Sequence, residues 1–295
     1  MEEKFIPRTF ATHNGSFHAD EVTACALLLL FNLVDRDKII RSRDPQKYVN
    51  VEFVCDVGGA YNPSTKRFDH HQSNYHGNLS SAGMVLQYLK DGTIISEKMY
   101  DFFNRSLILG VDAIDNGKTT PMVGFCTFSA VVANFVPAEY DVDENKLNAA
   151  FYEALDFVFG HLKRLLEKFQ YIEKCHDKIK EEMDKKNKIL IFDVPMPWIE
   201  TFFELDGENH PGIFIIMPAH NQWKLRGIPP SYEKKMQVRV LMPKEWAGLS
   251  DEELKEKSGL AGAVFCHKGR FISIWETKED ALKACELIVK RMEEM

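Results

Sequence analysis

Val51-Glu52-Phe53-Val54-Cys55-Asp56-Val57-Gly58-Gly59, followed by Arg67-Phe68-Asp69-His70-His71-Gln72, is the stretch whose reading decides the fold. Its first part is a short apolar run closed by an acidic residue and a glycine pair, which reads as a strand running into a tight turn. Asn62-Pro63-Ser64-Thr65 has turn chemistry. Arg67-Phe68 then leads into a carboxylate and two imidazoles. Acidic residues and imidazoles gathered at strand ends are the usual means of holding divalent cations, because open α/β sheets build their ligand sites there.

Upstream, Phe5 to Thr12 reads as a strand entering a turn at Asn14-Gly15, and Asp20 or Glu21 opens an apolar helix through about Val34. An acidic residue suits the positive end of a helix. Downstream, Ser80-Ser81-Ala82-Gly83 starts another helix, and Met99 to Ile114 reads as a further one. Strands alternating with helices indicate an α/β fold with parallel pairing. Residues 144–186 read as almost wholly helical, with Leu147, Phe151, Leu155, Leu162, Phe169, Ile179 and Met183 among the positions at helical spacing. The charge-rich stretch from Lys174 to Lys188 is expected to project into solvent or to link domains. Beyond it, Ile189–Phe192, Gly212–Met217, Gln237–Leu241 and Gly262–Cys266 read as strands, and Glu279 to Met292 as a terminal helix. The natural cut is a parallel-sheet domain over 1–187 and a smaller α+β domain over 188–295.

Composition narrows the function classes. The chain has 295 residues, 45% of them hydrophobic and 27% charged, as in globular proteins with a sizeable core. A net charge of −7 argues against a generic nucleic-acid coat, though not against an oligonucleotide held by metals and a local basic patch. Six cysteines (Cys25, Cys55, Cys126, Cys175, Cys266, Cys285) are dispersed without a CxxC pair, so reduced thiols are expected and a structural zinc site is not. The apolar run from Ala24 to Val34 is too short to span a bilayer. With no room read for a targeting segment before His13, a cytoplasmic location and no membrane partner are expected.

The candidate ligands fall in four groups: His13, His18 and Asp20; Asp56; Asp69, His70 and His71; and Asp112 with Asp115. Five of the ten histidines lie between His13 and His76. Taken singly, each group has an ordinary explanation. A lone histidine is more often surface or core, an aspartate after a strand is often a helix cap, and Asp112 and Asp115 could be plain polar residues beside the Asn116-Gly117 stop. Four groups in order, each at an element end, point instead to metal-assisted phosphoryl chemistry. There, two cations about 3.5–4 Å apart activate a water and clamp the substrate oxygens.

In combination, His13-Asn14-Gly15-Ser16-Phe17-His18-Ala19-Asp20-Glu21, Asp56-Val57-Gly58-Gly59-Ala60-Tyr61-Asn62-Pro63, Arg67-Phe68-Asp69-His70-His71-Gln72, Leu79-Ser80-Ser81-Ala82-Gly83 and Val111-Asp112-Ala113-Ile114-Asp115-Asn116-Gly117 resemble the melanocyte-proliferating-gene family. That family in turn resembles the DHH phosphoesterase superfamily of RecJ-type exonucleases, oligoribonucleases and manganese pyrophosphatases. The resemblance runs the length of the chain and implies a DHH-phosphoesterase-like parallel-sheet domain followed by a smaller substrate-binding domain. It matches His13 and Asp20 to ligands of the superfamily's first motif and puts His18 where an aspartate is expected, with an extra residue in Gly15-Ser16-Phe17. It makes Asp56 the bridging carboxylate, His70 a ligand, His71 a substrate contact and Asp69 a group that orients one of the rings. Asp112 or Asp115 supplies the last ligand.

The implied cofactors are two divalent cations, manganese before magnesium or zinc, since an imidazole in place of a carboxylate favours softer ions. Asp56 and His71 are the expected catalytic residues. The implied substrate is RNA or a short oligonucleotide cut from its 3′ end. A homodimer is left open.

In the second half, His267, Gly269 and Arg270 suit a phosphate contact, because glycine lets backbone approach and arginine can clamp bidentately. The alternative is an ordinary hairpin with exposed charges. Residues 210–248 carry six Lys or Arg against two Glu, with Trp223, Tyr232 and Trp246 interleaved, a pattern equally suited to base stacking or to a core under a solvated face. His161 and His176 read as structural, and His76 as a loop histidine. Two rival functions stand beside the exonuclease: a phosphatase of small anhydrides or nucleotides, and a metal-binding protein without turnover, motivated by His18. A zinc deaminase lacks its cysteine pair.

Overall fold

The computed structural model describes residues 5–120 and 122–294, and it divides into two compact units, one ending at Phe169 and the other beginning at Gln170. In the first, β1 (Ile6–Thr12), α1 (Ala19–Leu30), β2 (Ile39–Arg41), α2 (Pro45–Tyr48), β3 (Val51–Cys55), β4 (Tyr61–Asn62) and β5 (Arg67–Phe68) precede a run of helices. These are α3 (Ser81–Asp91), α4 (Glu97–Phe103), α5 (Leu109–Asp115), α6 (Phe128–Ala133) and α7 (Glu144–Asp184). The sheet order is β2-β1-β3-β5-β4. β1 pairs in parallel with β2 and β3, β3 with β5, and only the two-residue β4 runs antiparallel, against β5.

The side-chain period of two explains how this sheet is covered. Phe10, Phe53 and Phe68 point into the main core with Leu27, Leu28, Leu86, Leu89, Phe103 and Phe151. Ala11 and Val54 turn the other way, against Ile40 and Tyr48, and Val51 at the start of β3 and Val57 beyond its end join them outside that alternation. Such parallel strands need apolar residues on both faces, as the consecutive run Phe53-Val54-Cys55 provides. The helix expected over Met99–Ile114 is present but not regular: Asn104–Ile108 between α4 and α5 is a π-helical stretch, a widening found most often beside functional sites.

The second unit holds β6 (Ile189–Ile191), α8 (Trp198–Glu204), β7 (Phe214–Ala219), β8 (Gln222–Gly227), α9 (Asp251–Ser258), β9 (Ala263–Cys266), β10 (Ile272–Trp275) and α10 (Lys278–Glu293). Its sheet, ordered β6-β7-β8-β10-β9, is parallel at β6/β7 and antiparallel elsewhere. Trp246 and Trp275 fill one cluster with Phe214, Leu225 and Cys285. Cys175, Ile179 and Met183 enter another with Leu190, Phe202 and Ile215. The end of α7, expected in solvent or as a link, therefore buries one face in this unit, and the division falls inside the helix rather than at 187.

Gln237–Leu241 is not a strand. Arg239 lies within it, and its guanidinium donates to the carbonyls of Gly207, His210, Gly212 and Pro229. That anchor holds the segment as loop while β7 pairs with β8 across a His220-Asn221 turn, with His220 at φ +56°. The six cysteines are free, five of them buried and Cys126 exposed. No helix among the described residues is long and apolar enough to cross a membrane.

Candidate metal centre

Four chain segments converge at the C-terminal edge of the parallel strands. His13 directly follows β1, and Asp56 directly follows β3 at φ +56°, a left-handed conformation that aspartate tolerates better than most residues. Gly58 and Gly59, also at positive φ, turn the chain back so that Gly59 N–H donates to Asp69 Oδ2 at 2.6 Å. Asp69, His70 and His71 follow β5. The first turn of α1 brings Asp20 and Glu21, and the last residue of α5 is Asp115.

Asp56 is at the centre. Its Oδ2 lies 3.2 Å from His13 Nε2, and its Oδ1 lies 3.4 Å from His70 Nε2 and 3.3 Å from His71 Nδ1. His13 Nδ1–H donates to the Asn14 carbonyl at 3.0 Å; a carbonyl only accepts, so Nε2 is the nitrogen turned toward Asp56 and toward Glu21 Oε1 at 3.3 Å. His70 Nε2 lies 3.0 Å from Asp115 Oδ2 and 4.0 Å from Asp20 Oδ2. Asp69 orients His71, not His70: its Oδ1 accepts from His71 N–H at 3.0 Å and lies 2.8 Å from Nδ1. His71 is 63% exposed, so its Nε2 is free to face a ligand.

The charges in this buried cluster perturb one another. Burial opposes protonation of His13, but hydrogen bonding to Asp56 and Glu21 outweighs it and raises the pKa to about 10. Hydrogen bonding to Asp115 and then Asp56 raises His70 to about 10 as well. Burial, and then the charges of Glu21, Asp56 and Asp115, hold Asp20 well above the carboxylate range. Asp56 is also buried, yet the His13 and His70 imidazoles bring it below that range.

Three overlapping donor groups could each hold a metal ion: His13, His18, Glu21 and Asp56; Asp56, His70 and His71; and His18, Asp20 and Asp115. In each, the donor atoms lie within 4.8 Å of one another. Asp20 Oδ1 and Asp56 Oδ1 are buried without a hydrogen-bond partner. Buried carboxylate oxygens are almost always satisfied, so two orphans facing a cluster of imidazoles and acids fit a divalent cation. The cluster opens into a cavity of about 240 Å³ that Arg43 and Gln72 also line.

Asp112 does not join it. Its Oδ1 accepts from Ser80 N–H at 3.0 Å, Ser80 Oγ–H at 2.6 Å and Gly83 N–H at 3.1 Å, which caps the start of α3. Of the two aspartates left open by spacing, the structure brings Asp115 to the cluster and gives Asp112 to the helix.

In the second unit, His267, Gly269 and Arg270 form the β9–β10 turn. Gly269 N–H donates to His267 Nδ1 at 2.9 Å, and Arg270 Nη1 donates to the Met242 carbonyl at 3.2 Å. Trp246 is fully buried core, whereas Trp223 and Tyr232 are half-buried. His161 packs against Phe128, and His176 lies 3.2 Å from Asp177.

Two residues escaped the sequence reading. Glu21 is fully buried, and its carboxylate serves both His13 and the His18 N–H, at 2.9 Å. Its position three residues after the helix cap reads as a capping box, which hides the second role. Arg43 sits in a mixed-charge loop with no pattern to distinguish it.

Over residues 9–289 the chain matches the protein-family model MYG1_exonuc, described as "Uncharacterised protein family (UPF0160)". It is 49% identical over 286 residues to the MYG1 protein of Chlamydia trachomatis serovar D, covering 97% of this chain and 98% of that one. It is 30% identical over 318 residues to the MYG1 exonuclease of Mus musculus, covering 94% and 83%. Among solved structures, RecJ from Thermus thermophilus in complex with Mn2+ aligns at a TM-score of 0.29 and 12% identity, over 96% of this chain and 52% of that one. So loose a likeness carries no argument. The family match spans nearly the whole sequence, and the chain belongs to the MYG1 family (UPF0160).

Proposed function

We propose that this chain is a divalent-metal-dependent phosphoesterase that acts in the cytoplasm as an exonuclease on RNA or short oligonucleotides, from the 3′ end. The observation that carries the reading is Asp56. One buried carboxylate is shared between a His13–Glu21 side and a His70 side that continues to Asp115, the arrangement a bridging ligand between two cations requires. The name of the mouse relative, an exonuclease, supports the nuclease class.

His13, His18, Glu21 and Asp56 would hold one ion; Asp56, His70, Asp115 and Asp20 the other. With carboxylates mixed among imidazoles, manganese suits the set best, then magnesium or zinc. When bound, the ions supply positive charge that acidifies a water and offsets charge growing on phosphoryl oxygens. His71 gives its Nδ1–H to Asp69, so in the imidazolium form its outward Nε2–H can donate a proton or hydrogen bond to a phosphoryl oxygen. His267, Gly269 and Arg270 of the smaller domain are assigned to the remainder of the substrate.

The test is hydrolysis of end-labelled RNA and DNA oligonucleotides, a dinucleotide and pyrophosphate with Mn2+, Mg2+ or Zn2+, with Asp56→Asn as control. Mononucleotides released from the 3′ end of RNA support the proposal. Cleavage of pyrophosphate alone would replace it with the small-anhydride phosphatase. Metal binding with no product from any substrate would leave a non-catalytic metal protein.

A further inference from the structure

We propose that Arg43 is the anion receptor of the metal cavity, its guanidinium binding phosphate oxygens of the substrate. The inference rests on the phosphoesterase reading and names the group that selects a phosphate-bearing ligand. Among the described residues, Arg43 is the only lysine or arginine lining the cavity, whose other charged walls are carboxylates and imidazoles. Three other arginines of the same unit are already engaged: Arg8 with Asp35, Arg36 with Asp156, and Arg41 with the Gly15 carbonyl and Asn148. Among the described residues no hydrogen bond or ion pair engages the Arg43 guanidinium.

Its backbone is nevertheless fixed. Ser42 N–H donates to the Thr12 carbonyl at 2.8 Å, which brings the chain out of β2 directly beside His13. Asp44 N–H then donates to Ser42 Oγ at 3.1 Å, and the Asp44 carboxylate caps α2 at Gln46 N–H, so it is not Arg43's counter-ion. The cavity acids face elsewhere too: Asp69 accepts from Gly59 N–H and lies against His71, and Asp56 turns its two oxygens to the imidazoles of His13 and of His70 and His71. An arginine held at the mouth of an acidic cavity, with its fork unmatched, fits an anion that arrives with the ligand.

Charge balance agrees. Asp20, Glu21, Asp56, Asp69 and Asp115 carry about five negative charges against about four positive from two divalent ions, and Arg43 offsets the remainder, so a phosphate no longer meets net repulsion.

The experiment uses manganese-loaded full chain as wild type, Arg43→Ala and Arg43→Lys. Adenosine 5′-monophosphate and adenosine are titrated calorimetrically, and kcat and KM are measured on a dinucleotide with and without a terminal phosphate. We expect at least tenfold weaker binding of the monophosphate to Arg43→Ala, unchanged weak binding of adenosine, unchanged manganese affinity, and partial recovery in Arg43→Lys. An equal loss of kcat/KM on both dinucleotides assigns Arg43 to the phosphate being cleaved; a loss confined to the phosphorylated one assigns it to the neighbouring phosphate. Equal monophosphate affinity in wild type and Arg43→Ala overturns the proposal, even if hydrolysis is intact. Arg43-dependent monophosphate binding without any hydrolysis would sustain it while removing the phosphoesterase reading.

Discussion

Loading the metal centre should release protons, and the number follows from the geometry. His13 and His70 each turn Nε2 toward Asp56, and in the metal-free cluster both are held at a pKa of about 10. At pH 7.5 well under about 1% of either ring is neutral, so each must lose a proton before its lone pair can reach a cation. The cost is about 3 kcal/mol per histidine at that pH, from 1.36 kcal/mol per pKa unit. One of these histidines lies on each side of Asp56, which makes at least one proton per ion, with Asp20, held well above the carboxylate range, a further source on the His70 side. Manganese affinity should therefore rise at least about tenfold per pH unit at each site between pH 6.5 and 8.5. Calorimetric titration of chelator-stripped protein in two buffers of different protonation enthalpy reads both quantities. Affinity that stays flat with pH, with a heat independent of buffer, would refute the assignment of these two imidazoles as ligands.

Four further outcomes follow from the same contacts. Asp56→Asn should lower kcat at least about a thousandfold, or roughly 4 kcal/mol, with an unchanged circular dichroism spectrum, because asparagine tolerates the left-handed backbone at φ +56°. Asp112→Ala should cost about 3 kcal/mol in denaturant unfolding, since three hydrogen bonds to one buried oxygen are lost, while the manganese stoichiometry holds. Asp115→Ala should instead remove one bound ion and, in chelator, part of the stability that His70 contributes, so the manganese stoichiometry separates the pair; an ion lost from Asp112→Ala and kept in Asp115→Ala would exchange their roles. In chelator, the thermal midpoint should fall as pH rises from 6.5 to 10. The folded pKa of His13 and His70 lies above the unfolded value, so their stabilisation is full below 6.5 and lost toward 10, and calorimetry showing a rising midpoint would contradict it.

How much of this was readable from sequence depended on whether a residue's role matched its local pattern. β1, β3 and α1 were legible because apolar runs end at chemistry-bearing residues, and the same coincidence exposed His13, Asp56, Asp69, His70 and His71. β4 and β5 are two residues each, too short for any period to show. Gln237–Leu241 has the alternation of a strand, but Arg239 gathers carbonyls from distant loops, and no local pattern reports that. Asp112 and Asp115 stand one helical turn apart, so spacing could not separate them. What separates them is that the start of α3 reaches Asp112, a contact across 32 residues. Glu21 was hidden by a role it does have, as the helix cap partner of His18.

The π-helical stretch Asn104–Ile108 is a tolerance of length built in ahead of α5, because a π turn takes up one residue more than the α turn it replaces. Removing a single residue there would let the helix regularise with α5 kept in phase, leaving Asp112 at the start of α3 and Asp115 in the cluster. Removing one between Leu109 and Val111 has no spare residue to draw on, and would rotate Asp112 and Asp115 together by about 100° and move both about 1.5 Å. Within the stretch, Arg105 and Ser106 are exposed and can change with little consequence, whereas Leu107 and Ile108 are buried in the core and cannot. The rotational phase on which the metal centre depends is therefore set in the three residues after the wide turn, not in the turn itself.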